Sequence, residues 1–219
     1  MTIQEKHDLI DRSSPVQDGP MAPSNPLDTR RRILLTAMEL FATKGYGSTS
    51  VSDILSRSQA NSGSLYHFFP GKQDVLVGVL EMYRDGIQEM LLDPAWRGVE
   101  DPVERVFALL AAYRGMLLET ECLYGCPIGS LALELHEPDP PVRELLAQNF
   151  INWTTAIEGC LKDAGLPSGV DLRGLSEFIL TTMEGAVMQA RTHRDIGFFD
   201  RSIAQLRQHM ALLAQRAMA

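Results

Sequence analysis

A chain of 219 residues with 45% hydrophobic and 22% charged residues has ordinary globular composition, which excludes a wholly disordered or fibrous protein and leaves room for one or two packed domains. No run of about 18 apolar residues occurs, which excludes a membrane-spanning helix, and the N-terminal MTIQEKHDLIDRSS lacks the basic-then-apolar order of an export signal. A formal net charge of -8 argues against a protein that coats nucleic acid without selection.

The charge is unevenly spread. Between Pro26 and Lys72 lie six basic residues (Arg30, Arg31, Arg32, Lys44, Arg57, Lys72) and three acidic ones (Asp28, Glu39, Asp53). A basic module therefore precedes an acidic body. The three cysteines, Cys122, Cys126 and Cys160, are an odd number; without an export signal they read as reduced thiols in a cytoplasmic protein that makes no use of a membrane.

In chain order, residues 1–25 carry Pro15, Pro20 and Pro23 among Ser, Asp and Gly, a composition expected to form a flexible tail. A first helix is predicted from Asp28 or Thr29, with Ile33, Leu34, Ala37, Leu40 and Phe41 at three- and four-residue spacing. Gly45 and Gly47 stop it. A second helix is predicted from Ser48 or Thr49 to Arg57, and a third from Asn61 to about Phe68. Pro70 and Gly71 end the third, and a long fourth helix begins near Lys72 and is expected to break at Asp93-Pro94. Further helices are predicted over Val103–Glu119, about Ile128–Leu135, from the prolines at 138–141 to about Ala164, Asp171–Arg194 and Phe199–Met218. No segment alternates like a strand. The predicted fold is all-α with about nine helices. It divides into a tail (1–25), a three-helix helix-turn-helix DNA-binding domain (26–72) and a helical ligand-binding and dimerisation domain (73–219).

A helix-turn-helix lays its second helix in the major groove while the first braces it. Here Val51, Ile54, Leu55 and Leu65 are spaced to pack inward, leaving Asn61, Ser62, Gly63, Ser64, Tyr66 and His67 as a small, polar outer face. Thr49 at a helix start has a hydroxyl and an amide to offer a phosphate, and Lys72 adds a positive charge at the next helix start. Phe69 reads as a core aromatic. The Arg30–Arg32 run opposes the helix dipole, which leaves a phosphate contact and a solvated helix start as open alternatives.

The segment carrying Ile33, Ala37, Leu40, Phe41, Gly45, Tyr46, Thr49, Ile54, Gly63, Leu65, Tyr66, Phe69, Lys72 and Leu76, with the run GSLYHFFPGKQDVL, resembles the N-terminal domain of the TetR/AcrR family of transcriptional regulators over about 55 residues. The resemblance implies phosphate contacts by Thr49, Tyr66, His67 and Lys72, with Asn61, Ser62, Gly63 and Ser64 nearest the base edges. Two positions depart from the family pattern. Gln59-Ala60 stands where glycine-valine is usual, so a positive φ at Gln59 would carry strain, and Ser62 stands where lysine is common, removing one phosphate contact.

The last two predicted helices carry apolar stripes, and Phe178, Met183, Val187, Leu206, Met210 and Leu213 are expected at a homodimer interface, an arrangement the resemblance also implies. Candidate ligand-binding residues in the body are Trp96, Phe107, Tyr113, Met116, Phe150, Trp153 and Glu184, apolar walls with a few polar groups. Cys126 joins them. It sits at a helix start before Pro127, where amides favour thiolate, and Gly125 to Glu134 resembles the GC-x-x-G-x-L-x-x-E segment of a TetR subgroup, some of whose members sense electrophiles or oxidants through a cysteine there.

No HExxH, paired CxxC, P-loop, GxGxxG or GxSxG motif is present, and His136, Glu137 and Glu134 lack a third ligand at useful spacing. The expected protein is no enzyme and needs no cofactor or metal. Its predicted function is a homodimeric repressor of a double-stranded palindromic operator, released by a small-molecule inducer. A thiol-based sensor acting through Cys126 is the alternative, and an all-α enzyme or ligand carrier the remote one.

Overall fold

The computed structural model describes residues 26–215 and, among them, helices and no strand. The N-terminal tail expected from composition lies outside the described residues.

Helix α1 (Pro26–Lys44) buries Ile33, Leu34, Ala37, Leu40 and Phe41, the stripe its periodicity predicts. It begins two residues before Asp28 and stops at Gly45, whose φ of 85° is open to glycine at little cost. Helix α2 (Val51–Ser58) starts later than expected. Its cap is Ser50, whose hydroxyl accepts from the Asp53 amide while the Asp53 carboxylate accepts from the Ser50 amide. Helix α3 (Ser62–Phe68) is capped by Asn61. The three pack around Ile54, Leu65 and Phe69, which are buried.

Helix α4 (Lys72–Ile87) leaves this head and enters the body. Its Val75, Leu76, Val79 and Leu80 pack under α1, so one core runs through both parts of the molecule. The predicted break at Asp93-Pro94 does not occur. A π-helical turn, Gln88–Leu92, widens the helix first, and a last turn, Asp93–Trp96, carries the chain through Pro94. The wider i→i+5 register, with the Asp93 amide donating to the Gln88 carbonyl, absorbs the missing proline donor without a stop.

The body continues with α5 (Pro102–Glu119), α6 (Pro127–Glu134), α7 (Pro140–Asp163), α8 (Leu172–His193) and α9 (Gly197–Gln215). Helix α7 lies between α4 and α8, α9 packs along α8, and α5 closes one side. The Asn149 amide donates to the Leu80 carbonyl and the Asn152 amide to the Arg84 carbonyl, tying α7 to α4. The short α6 touches both α1 and α7, which makes it the body element that meets the head. No helix among the described residues is long and apolar enough to cross a membrane.

Candidate DNA interface and body cavity

The outer face of α3 presents Ser62, Gly63, Tyr66 and His67 to solvent, and Tyr66 is 54% exposed although it is a large aromatic. Nothing on this helix is acidic. Two carboxylates of the head are paired with cations: Asp53 faces Lys44 at 3.8 Å and Glu39 pairs with Arg57. Hydrogen bonds from Ser50, helped by Lys44, hold the Asp53 carboxyl below its usual range. Asn61 is engaged through one end only, its Oδ1 accepting from the Ser64 amide at 2.7 Å. Two of the three arginines contact the head itself: Arg32 donates to the Ser58 carbonyl at the end of α2, and Arg30 lies over the Phe69 ring.

The turn between α1 and α2 is held from two sides. Lys72 Nζ donates to the Tyr46 and Thr49 carbonyls at 2.9 and 3.0 Å and sits over the Tyr46 ring. From the body, the Glu134 carboxylate at the end of α6 accepts from the Tyr46 and Gly47 amides at 2.9 and 2.6 Å. These are charge-assisted bonds, the stronger class.

At its other end α6 forms one wall of a cavity of about 380 Å³ inside the body. Tyr83, Tyr113, Tyr124, Phe150 and Trp153 supply aromatic walls, and Ile87, Met90, Leu91, Met116, Ile128 and Leu180 supply aliphatic ones. The cavity also reaches Ala42 on α1. Its polar corner holds Cys126 and Glu184. A methyl group at Gly129 would overlap the Glu184 carboxylate, so glycine there is what lets α8 bring Glu184 against α6. Burial pushes the Glu184 carboxyl up, partly offset by its hydrogen bond with Cys126. Burial and the Glu184 charge push the Cys126 thiol well up, outweighing the Gly129 amide that donates to Sγ at 3.4 Å. Tyr113 is likewise raised by burial and by the neighbouring Cys126 and Glu184.

With this geometry in place, comparison with known proteins is direct. A family model described as "Bacterial regulatory proteins, tetR family" matches residues 33–79, and one described as "Transcriptional regulator LmrA/YxaF-like, C-terminal domain" matches residues 102–205. The helix-turn-helix (HTH)-type transcriptional regulator YxaF of Bacillus subtilis is 31% identical over 168 residues, spanning 77% of this chain and 87% of that protein. The chain belongs to the TetR family of transcriptional regulators. LmrA of the same organism is 28% identical over 169 residues, covering 77% of this chain and 89% of its own. The crystal structure of a TetR regulatory protein from Rhodobacter sphaeroides superposes with a TM-score of 0.75 at 22% identity, over 83% of this chain and 98% of that one.

In this TetR-family regulator the predicted site residues divide sharply. Ser62, Gly63, Tyr66 and His67 lie together on the exposed face of α3, with Ser64 half-buried beside them. Thr49 does not belong with them. It is buried, its hydroxyl donates to the Gly45 carbonyl at 2.7 Å and its amide to Tyr46, because the helix cap falls one residue later at Ser50. Lys72 is near, but its ammonium is taken up by the turn carbonyls. Gln59 does adopt φ 53°, ψ 31°, the strained αL cap expected where the family has glycine.

In the body, Tyr113, Met116, Cys126, Phe150, Trp153 and Glu184 all line the cavity. Trp96 and Phe107 do not. The Trp96 indole donates to the Arg105 carbonyl, and Phe107 is buried beneath the Arg207 guanidinium. Tyr83 and Asn149, which line the cavity, were not singled out by sequence, because their helical spacing matches that of core positions; Tyr124, which also lines it, lies in the loop between α5 and α6. The interface set needs the largest correction. Met183, Val187, Leu206 and Met210 are buried inside the protomer between α8 and α9 and their neighbours, while Phe178 is 50% exposed and Leu213 partly so. An amphipathic stripe on a chain's last helices shows that something covers it, not whether the cover is intra- or intermolecular. Cys126 is also corrected: a buried thiol with a raised pKa beside a carboxylate is not an activated thiolate.

Proposed function

We propose that the protein is a homodimeric repressor, acting in the cytoplasm and without enzymatic activity, that reads a palindromic operator with α3 and lets go when a small molecule fills the body cavity. The observation that carries this reading is the span of α6. One end of this helix, Cys126 to Ile128, lines the cavity, and the other end, Glu134, grips the Tyr46–Gly47 turn of the head. A ligand that displaces the first end strains the grip at the second. Ligand binding then favours a body conformation whose two α3 helices no longer match successive major grooves, about 34–36 Å apart.

Two copies are needed for this reading. The exposed residues Phe178, Thr181 and Met188 fall on one face of α8, where Phe178 meets His209 of α9 edge-on at 5.9 Å, and Leu212 is exposed one turn further along α9. That face, rather than the buried stripe behind it, is the proposed interface. On α3, Ser62, Gly63 and Ser64 approach the base edges and Tyr66 and His67 the phosphates, with the free amide end of Asn61 beside them. Lys72 acts through the turn it holds.

The test is selection of bound fragments from genomic DNA with the full chain, followed by binding to the enriched site. The expected result is a palindrome bound by a dimer. In the Glu134→Ala variant, ligand-driven release from that site is expected to weaken by about threefold to tenfold, the coupling carried by a hydrogen-bonded contact of this kind. Enrichment of no short palindrome would sink the repressor reading, and full release by Glu134→Ala would remove α6 from the coupling route.

A further inference from the structure

The cavity holds two buried polar atoms with no hydrogen-bond partner in the protein: the Trp153 indole nitrogen, a donor, and Glu184 Oε1, an acceptor. Trp153 is only 3% exposed and both residues line the cavity. Native interiors rarely leave such atoms unpaired, and an unexplained pair in one cavity points to a partner from outside the chain. Tyr113 lies between them: its hydroxyl is close to the Trp153 indole nitrogen without meeting hydrogen-bond geometry, and the Glu184 charge acts on it, so the two atoms share one polar corner. The Glu184 carboxyl lies against Gly129 and the Cys126 thiol, and Trp153 is a buried residue of α7.

We infer that the cavity selects an uncharged, largely apolar ligand through a single hydroxyl group seated between Glu184 and Trp153. A hydroxyl is the smallest group that donates and accepts at once. An ether oxygen can only accept, from Trp153, and leaves Glu184 unpaired. An ammonium can only donate and leaves the indole unpaired. A carboxylate meets Glu184 as a like charge, and no lysine or arginine lines the cavity to neutralise it. The aromatic walls Tyr83, Tyr124 and Phe150 suit a flat hydrocarbon body behind the hydroxyl. The inference rests on the reading of this cavity as the effector site, and it is tested on the free protein so that the two can fail separately.

Titration calorimetry of the full chain with four naphthalene probes decides it: β-naphthol, its methyl ether, β-naphthoate and β-naphthylmethylammonium. The naphthol is expected to bind about tenfold more tightly than the ether, the value of one hydrogen bond, with no detectable binding of the naphthoate. Trp153→Phe and Glu184→Leu, each of which removes one partner, are expected to lose about tenfold for the naphthol, whereas Glu184→Gln, which keeps a carbonyl acceptor in place, retains most of the affinity. Equal affinity for naphthol and ether overturns the inference. So does preferential binding of the ammonium that Glu184→Gln abolishes, and so does failure of the naphthol to bind. Should Trp153→Phe fail to fold by circular dichroism, the naphthol-to-ether ratio and the loss in Glu184→Leu settle the matter. Naphthol binding that leaves operator affinity unchanged keeps this inference and removes the ligand-release reading instead.

Discussion

The head and the body of this regulator treat polar side chains in opposite ways. In the head, the polar groups around the helix starts are met mostly by neighbours in sequence: Ser50 and Asp53 cap each other, Asn61 accepts from the Ser64 amide, and Lys72 closes the turn. What remains exposed on α3 is small or aromatic and projects outward. In the body cavity, polar groups come from helices distant in sequence and are left incomplete, with the Trp153 indole nitrogen and Glu184 Oε1 each lacking a partner. A surface that meets a large, charged and hydrated partner needs only a stable shape with exposed donors. A buried site that discriminates among small molecules has to hold unmet hydrogen-bonding demand in reserve.

The contrast can be broken at either end. The largest effect is expected at the exposed tyrosine: Tyr66→Ala should weaken operator binding by about 10- to 100-fold, the range for a hydrogen bond to a charged phosphate, with the dimer intact by sedimentation. Retained affinity at moderate salt would remove Tyr66 from the interface. Next is the crowded body: Gly129→Ala forces a methyl group into the Glu184 carboxylate and should destabilise the fold by about 1–3 kcal/mol in denaturant unfolding. A neutral result there would mean that Glu184 swings aside freely, contrary to a preorganised corner.

A smaller effect separates the buried carboxyl from the exposed ones. Because burial raises the Glu184 pKa, the folded chain holds that proton more tightly than the unfolded chain. Stability is therefore lost as pH rises from the ordinary glutamate value through the folded one, and stays lost above it. Glu184→Gln removes this loss. Its Tm should exceed that of the wild type by roughly 2–4 °C at neutral to alkaline pH, the shift that about 1 kcal/mol produces in a chain of this size. The two should converge at pH below the ordinary glutamate value, and a gap that persists unchanged in acid would mean the carboxyl was never destabilised. The smallest effect belongs to the head's one strained turn. Gln59→Gly should stabilise the protein by about 0.5–1 kcal/mol, since relief of the αL penalty exceeds the entropy glycine adds to the unfolded chain. Destabilisation would show that the Gln59 side chain compensates.

Much of the head was legible in the chain itself. The stripe Ile33–Phe41, the glycine stop at Gly45, the start of the third helix beside Asn61 and the outward Tyr66 and His67 all follow from spacing and turn chemistry within about 40 residues, where local rules act without help. Even the strain at Gln59 was readable from the residue type. Thr49 was misplaced by one position, because Ser48, Thr49 and Ser50 can each cap a helix, and the choice went to Ser50 once Asp53 completed the reciprocal box. Pro94 misled for a related reason, since a π-helical turn accommodates a proline that a regular helix cannot.

The body was legible only as helices. Trp96 and Trp153 look alike in sequence, yet one donates to a carbonyl of α5 and the other faces a cavity with its donor unmet. Met183 and Phe178 lie on one predicted stripe, yet one is core and the other surface. Helical periodicity says which side of a helix is covered, because burial of apolar area depends on the residue and its spacing alone. Which neighbour does the covering, whether Glu134 reaches a turn 87 residues away, and whether Glu184 meets Cys126 depend on how the helices cross. Those crossings are set by the packing of the whole core, so the DNA-reading surface could be recognised in the chain, and the cavity and its link to that surface emerged only with the assembled fold.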